Sequence, residues 1–350
     1  MSVRYCALYL LAALTAVGCG TATTPDTDAR YIFTADYMAD PSVHVFDGRI
    51  YIYPTHDRIS EVTSPEDGAH YDMADYHVLR MDSPLQPQAE DCGCVLALED
   101  IPWAERQLWA NDAACKNGLY YMYFPAKDRE GIFRIGVAVA DRPEGPFIPQ
   151  PEPMEGAYSI DPAVFCDGDD YYICFGGLQG GQLQRWHDNR LLPENRFAAD
   201  GEPALAPRIA KLSDDMLSLA EPSRPIEILD DDGKPLTADN PHRFFEAAWL
   251  HRCGDIYYFS YSTGTGHTIC YATGDNPCGP FTLRGVLLTP VVGWTTHHST
   301  VEIDGQWYLF FHDSAPSGGR SSLRSLKMAG LLHNSDGTIR TTEGGGGRQI

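Results

Sequence analysis

Past its first twenty residues the chain has no apolar run of the ~20 residues needed to cross a bilayer, so the mature protein is expected to be soluble. Basic residues are scarce: 26 Lys and Arg stand against 48 Asp and Glu, a formal charge of -22. Such a field repels phosphate backbones and anionic lipid surfaces, which argues against nucleic acid as a partner and suits an uncharged ligand such as a neutral sugar. No Cys-x-x-Cys occurs, and none of the ten cysteines has zinc-type spacing with histidine, so a metal–thiolate site is not expected. Strong helical periodicity is missing as well, leaving strands as the main element.

What is present begins with an export signal. Residues 1–19 combine Arg4, an apolar stretch from Ala7 to Val17 and the small-residue ending Ala16-Val17-Gly18-Cys19. The ending resembles a bacterial lipobox, with Cys19 as the lipidated mature N-terminus and the only link to a membrane. Ala16 stands where Leu is usual, and ordinary cleavage near Ala22 is the alternative. Residues 20–29 read as a short polar tether, giving a periplasmic or membrane-anchored lipoprotein if the source is bacterial. In an exported protein the remaining cysteines are either buried thiols or pairs such as Cys166 with Cys174, or Cys92 with Cys94 or Cys115.

A strand–turn–strand unit recurs five times, in the segments beginning at Asp40, Ala110, Asp161, Glu246 and His297. Each joins a short strand to an aromatic-rich one through a polar, Gly-containing turn, as in Asp47-Gly48 and Asn117-Gly118. These pairs supply the positive φ that tight hairpins require. Spacings of roughly 50 to 85 residues leave room for outer strands and long loops, so residues 30–343 are expected to form one all-β, five-bladed β-propeller, with 344–350 as a flexible glycine-rich tail. Counting back the same distance from Tyr51, Tyr121, Tyr172, Tyr257 and Tyr308 gives Asp40, Ala110, Asp161, Glu246 and His297. The innermost strands of a propeller run side by side around its axis, so these positions converge at one mouth. Asp-Pro alone is an ordinary strand start. Asp, Asp, Glu and His in one phase are harder to explain without chemistry.

The motifs Ala39-Asp40-Pro41-Ser42, Trp109-Ala110-Asn111-Asp112, Ser159-Ile160-Asp161-Pro162-Ala163, Phe244-Phe245-Glu246 and Thr296-His297-His298-Ser299 together resemble glycoside hydrolase family 43, over essentially the whole chain after the tether. The resemblance implies an inverting hydrolase of arabinose- and xylose-containing plant polysaccharides or oligosaccharides, with Asp40 as general base, Glu246 as general acid and Asp161 orienting Glu246 and tuning its acidity. It also implies His297 as an axial histidine that helps hold calcium, with His298 as the alternative. Inversion needs an acid and a base on opposite faces of the sugar, about 6.5 to 9.5 Å apart, so that water fits between. A third carboxylate disfavours a second negative charge beside it and so helps keep the acid protonated.

For substrate contacts the candidates are Trp109, whose indole suits a sugar face; Arg324, which by the resemblance sits where relatives carry a substrate-binding arginine, with Arg320 as competitor; and His267, Phe33 and Tyr31. Gln182 and Gln184 are expected to stabilise their loop. Ala247-Ala248 follow Glu246 where relatives often carry Gly-Pro, and Asn111 replaces a common Pro, which bears on loop geometry and hence substrate. The leading expectation is an exo-acting β-xylosidase or α-L-arabinofuranosidase. An endo-arabinanase and a non-catalytic sugar-binding propeller are the alternatives, the latter disfavoured because a lectin needs no acid–base pair.

Overall fold

Paired positive-φ residues close the inner hairpins. Asp47 and Gly48 (φ 49° and 75°), Asn117 and Gly118 (54° and 77°) and Asp304 and Gly305 (51° and 77°) adopt the left-handed geometry of two-residue turns matched to strand twist. The computed structural model describes residues 28–60, 62, 68–264 and 266–346. The export segment, Cys19 and most of the tether lie outside the described residues.

Five antiparallel blades surround a central shaft. In chain order, the first comprises Met38–Phe46, Arg49–His56, Asp75–Met81 and Glu90–Ala97. The second is Asp112–Lys116, Leu119–Asp128, Phe133–Ala140 and Ile148–Pro149, with Ala104–Arg106 paired to the far end of Leu119–Asp128. Ala163–Asp167, Asp170–Phe175, Arg208–Lys211 and Arg224–Pro225 make the third. The fourth, Phe244–Cys253, Ile256–Thr263, Ile269–Gly274 and Phe281–Leu288, gains Ile228–Leu229 as a parallel edge strand. The fifth takes His298–Ile303, Gln306–Asp313 and Ser325–Leu331 from the chain's end and Arg30–Tyr31 from its start, in the register Arg30↔Met328. The expected five-bladed propeller is therefore what forms, and the mixed fifth blade closes its ring.

Burial follows the alternation of the strands. Tyr53, Tyr123, Phe175, Phe259 and Phe310, one from each blade's second strand, are fully buried and fill the spaces between sheets. Inside the shaft, Asp112 joins three blades: its carboxylate accepts hydrogen bonds from Ser42 Oγ and Val164 N and lies 2.6 Å from His44 Nε2. A buried carboxylate needs such partners, because leaving one unmade costs more than the bond itself stabilises.

All eight described cysteines are free thiols. Cys166 faces Tyr171 across its hairpin while Cys174 faces Ala163, so the two stand at opposite ends of the ladder. The glycine-rich end is docked at its start, Gly344 N donating to Thr289 Oγ1 (2.8 Å) and Gly346 N to Pro290 O (2.9 Å).

Candidate active site

All five axial positions, Asp40, Ala110, Asp161, Glu246 and His297, line one cavity of about 710 Å³. Local backbone irregularities aim them. The ladder of the first hairpin slips between Ala39 and Ser42, and that of the fourth between Glu246 and Trp249, so each of those carboxylates sits at a bulge. Asp40 (φ 48°), Asp161 (φ 54°) and Ala247 (φ 58°), the last next to Glu246, are left-handed. Bulges and left-handed residues turn a side chain out of the strand's alternation, a sparsely populated geometry that clusters at functional sites.

Asp40 is buried and fully engaged. Arg324 Nη1 donates to Oδ1 (2.8 Å) and Thr55 Oγ1 to Oδ2 (2.8 Å). Burial pushes its pKa up, but Arg324, His312, His297 and the Thr55 hydroxyl together outweigh that and hold it at about 2. His312 lies 3.3 Å from Oδ1, and its Nδ1 accepts the Asp40 N–H (3.1 Å); burial and Arg324 bring its own pKa down to about 3. Arg324 is itself clamped by Asp57, which accepts from Nε (2.8 Å), Nη2 (2.7 Å) and the Arg324 backbone N–H (2.9 Å). Burial lifts Asp57 above its ordinary value in spite of these bonds, whereas Asp40 and Asp57 more than offset the burial of Arg324 and keep it cationic.

The other two carboxylates are shifted the opposite way. Burial raises Asp161 to about 6 against the pull of His297, with Asp40 adding to the rise. Its Oδ2 accepts the Ala247 N–H at 2.8 Å, tying it to the bulge that carries Glu246. Glu246 lies well above its ordinary value, first through burial and then through the charges of Asp161 and Asp40. The site thus holds a carboxylate that stays ionised and a carboxyl that stays protonated within one cavity.

The remaining candidates separate cleanly. Trp109 lines the cavity, its Nε1 donating to Tyr71 O (2.8 Å), and Gly68 packs so tightly on the indole that a Cβ there would meet it at 2.6 Å. Arg324 lines the cavity, and Arg320 turns outward to Ser317 O. Phe33 does not reach the site. It is buried among Ile32, Met38 and Met328, because it follows the short closing strand and packs between the first and fifth blades. His267 is also displaced: it stands behind Trp294 and Phe245, at ring distances of 4.4 and 6.1 Å, and these two line the cavity instead. Tyr31 donates to Asp313 (2.8 Å) away from the pocket. Gln182 holds its loop as expected, accepting from Phe133 N and donating to Gly131 O. Gln184 donates to Gln179 O and also borders the cavity.

His297 Nδ1 lies 3.9 Å from both Asp40 Oδ1 and Asp161 Oδ2, whereas His298 is buried in its strand against Ser260 Oγ (2.6 Å). Among the described residues His297 belongs to no group of three or more His, Cys, Asp or Glu side chains arranged about a common point. Calcium prefers six to eight oxygens, so an ion here would be held chiefly through water. The shaft suits that arrangement, since the buried Asn111 amide and Ser299 Oγ, close in sequence to axial positions, have no protein partner and call for water.

Sequence reasoning missed Thr55 and Asp57, although polar residues two apart at the end of a second strand share one face. It also missed Trp294 and Phe197, large apolar side chains that are 51% and 55% exposed at the cavity's edge. Exposed aromatics beside a polar pocket are the usual mark of a binding surface.

The model of the family "Glycosyl hydrolases family 43" matches residues 90–339. The chain is 58% identical to a xylosidase/arabinosidase of Bacteroides ovatus over 91% of its own length and 98% of that protein's. It is 53% identical to a beta-xylosidase of Xylanibacter ruminicola, covering 90% and 99%. Among solved structures it resembles a β-xylosidase/α-arabinofuranosidase from a compost microbial metagenome, in complex with xylotriose and in a calcium-free form, with TM-score 0.88, 55% identity and coverage of 92% and 99%.

Proposed function

Since the chain belongs to glycosyl hydrolases family 43, an inverting glycosidase family, we propose that it removes terminal xylose or arabinose units from pentose oligosaccharides by single displacement at this cavity. The observation that carries the reading is the opposed protonation of Asp40 and Glu246 within one pocket. Ionised at neutral pH, Asp40 takes a proton from water as that water attacks the anomeric carbon. Glu246, protonated, delivers its proton to the departing glycosidic oxygen from the other face. After one turnover the protons are reversed on the two groups, and exchange with solvent resets them.

Asp161 supports the acid twice over: its charge holds the proton on Glu246, and its bond to Ala247 N fixes the bulge. Arg324 and Thr55 occupy both Asp40 oxygens with donors, which orients the base and keeps it ionised. A neutral pentose suits the mixed lining, with Trp109 and Trp294 offering faces for sugar rings and Gln184 and Asn195 offering hydrogen bonds to hydroxyls.

Two finer points belong to the same proposal. A calcium ion at His297, carried mainly by water, would add positive charge beside Asp40 and Asp161, and calcium returned to chelated protein should raise the melting temperature. Export through residues 1–19 with an anchor at Cys19 is tested by metabolic labelling with a fatty acid, which a Cys19→Ala chain should not take up. The main test is a panel of chromogenic pentosides with the product anomer read by NMR. Rapid release from a xyloside or arabinofuranoside with inversion is expected, and a retained anomer or an inert panel would refute the mechanism.

A further inference from the structure

A second cluster of ligand-type side chains lies outside the pocket, between the second and third strands of the first blade. The register Thr55↔Tyr76 sets His56 beside Asp75, and His77, two residues on, projects from the same face of its strand as Asp75. The ligand atoms of His56, Asp75 and His77 all lie within 4.8 Å of one another, the one such group of three among the described residues. His56 Nδ1 is 2.8 Å from Asp75 Oδ1 and His77 Nε2 is 3.8 Å from Asp75 Oδ2, with the two rings 4.5 Å apart. The outward nitrogens are also engaged: His56 Nε2 lies 3.3 Å from Asp36 Oδ2, and His77 Nδ1 lies 3.0 Å from both oxygens of Asp91. Asp91 is held in turn by the Gly93 N–H at 2.8 Å.

We propose that His56, Asp75 and His77 form a binding site for a divalent transition metal of the zinc class, with Asp36 and Asp91 orienting the two imidazoles. Two imidazoles and one carboxylate match the ligand set of zinc, and the partly exposed position leaves a fourth place for water. Carboxylates on the far nitrogens of both rings are the outer partners that metal-ligating histidines use to set tautomer and ring angle. A simple ion pair accounts for one imidazole on Asp75. It does not account for two rings converging on that carboxylate, each backed by another. The hard-cation chemistry considered at His297 is different, so the two sites are separable.

The test is zinc titration of metal-stripped protein by calorimetry, with cobalt as a spectroscopic probe. One equivalent should bind, with visible d–d bands and no thiolate charge-transfer band, which sets aside the neighbouring Cys92 and Cys94. His77→Asn should lose that equivalent while keeping its fold by circular dichroism and its pentoside hydrolysis. Asp91→Asn should bind about 10–100-fold more weakly, and His297→Ala should bind as the parent does. Absence of zinc uptake at millimolar metal, or a His77→Asn protein that binds like the parent, would overturn the proposal and leave the cluster an ion-pair network.

Discussion

At the scale of single residues, the chemistry depends on charges that none of the three acids carries alone. Asp40 has Arg324 as its counter-charge, and Glu246 has two carboxylates as neighbours, so two ordinary acids are driven apart in acidity. Glu246→Gln removes the proposed proton donor without changing shape, and kcat should fall by about 10²–10⁴ while binding of xylose, measured by calorimetry, persists. As the proposed acid, Glu246 should set the alkaline limb of kcat/KM by its titration. Replacing Asp161 by Asn deletes one of the charges holding that proton, so the limb should move to lower pH in the measured profile.

The same substitution has a stability consequence of opposite sense to its effect on rate. Asp161 is raised from its ordinary 3.8 to about 6, so between those values the folded chain binds a proton that the unfolded chain releases, and stability falls as pH rises through that window. Asp161→Asn escapes the loss and should be more stable at neutral pH by about 1–3 kcal/mol in chemical denaturation, with lower kcat. Arg324→Lys should act the other way. It gives up the fork on Asp57, lowers the melting temperature, and lets Asp40 rise from about 2 so that an acid limb appears in the pH–rate profile.

At the scale of elements, the bulges and one loop place these residues. The loop after Asp170–Phe175 folds back so closely that a Cβ on Gly177 would lie 2.5 Å from the Ile160 side chain and 3.3 Å from Glu246 Cβ. Gly177→Val therefore presses on Ile160, the neighbour of Asp161, and on the acid itself. A loss of about 1–3 kcal/mol in stability is expected, with a larger fractional fall in kcat than in binding. The hairpins were readable because their signals are local: a positive-φ pair and an alternating aromatic strand need only a few adjacent residues. The short closing strand Arg30–Tyr31 carries no such signal, so the sequence does not show that Phe33 packs between blades and away from the pocket.

At the scale of the whole molecule, the ring is held shut by the chain's start. Arg30–Tyr31 completes the fifth blade, Ile32 N donates to Leu326 O (3.0 Å), and the Arg30 guanidinium reaches the carbonyls of Pro84, Gln86 and Pro87 on the first blade. Arg324, which arrives from the fifth blade to meet Asp40 and Asp57 of the first, spans the same seam. A chain starting at residue 34 should therefore melt well below one starting at residue 28 and lose activity with it, as thermal unfolding and pentoside assay would show.

Five blades, their phase and the convergence of Asp40, Asp161, Glu246 and His297 were legible in the amino-acid order, because a repeated unit carries its own alignment and a closed ring turns equal phase into shared place. The partners that make those residues work were not. Arg324 lies 284 positions from Asp40, and Trp294 and Phe197 come from loops that repeat nothing. Which of His267 and Trp294 faces the cavity depends on how one non-repeating loop packs against the next. Such contacts are made by side chains meeting across blades, where burial and charge act over distance in space and leave no periodic mark along the chain.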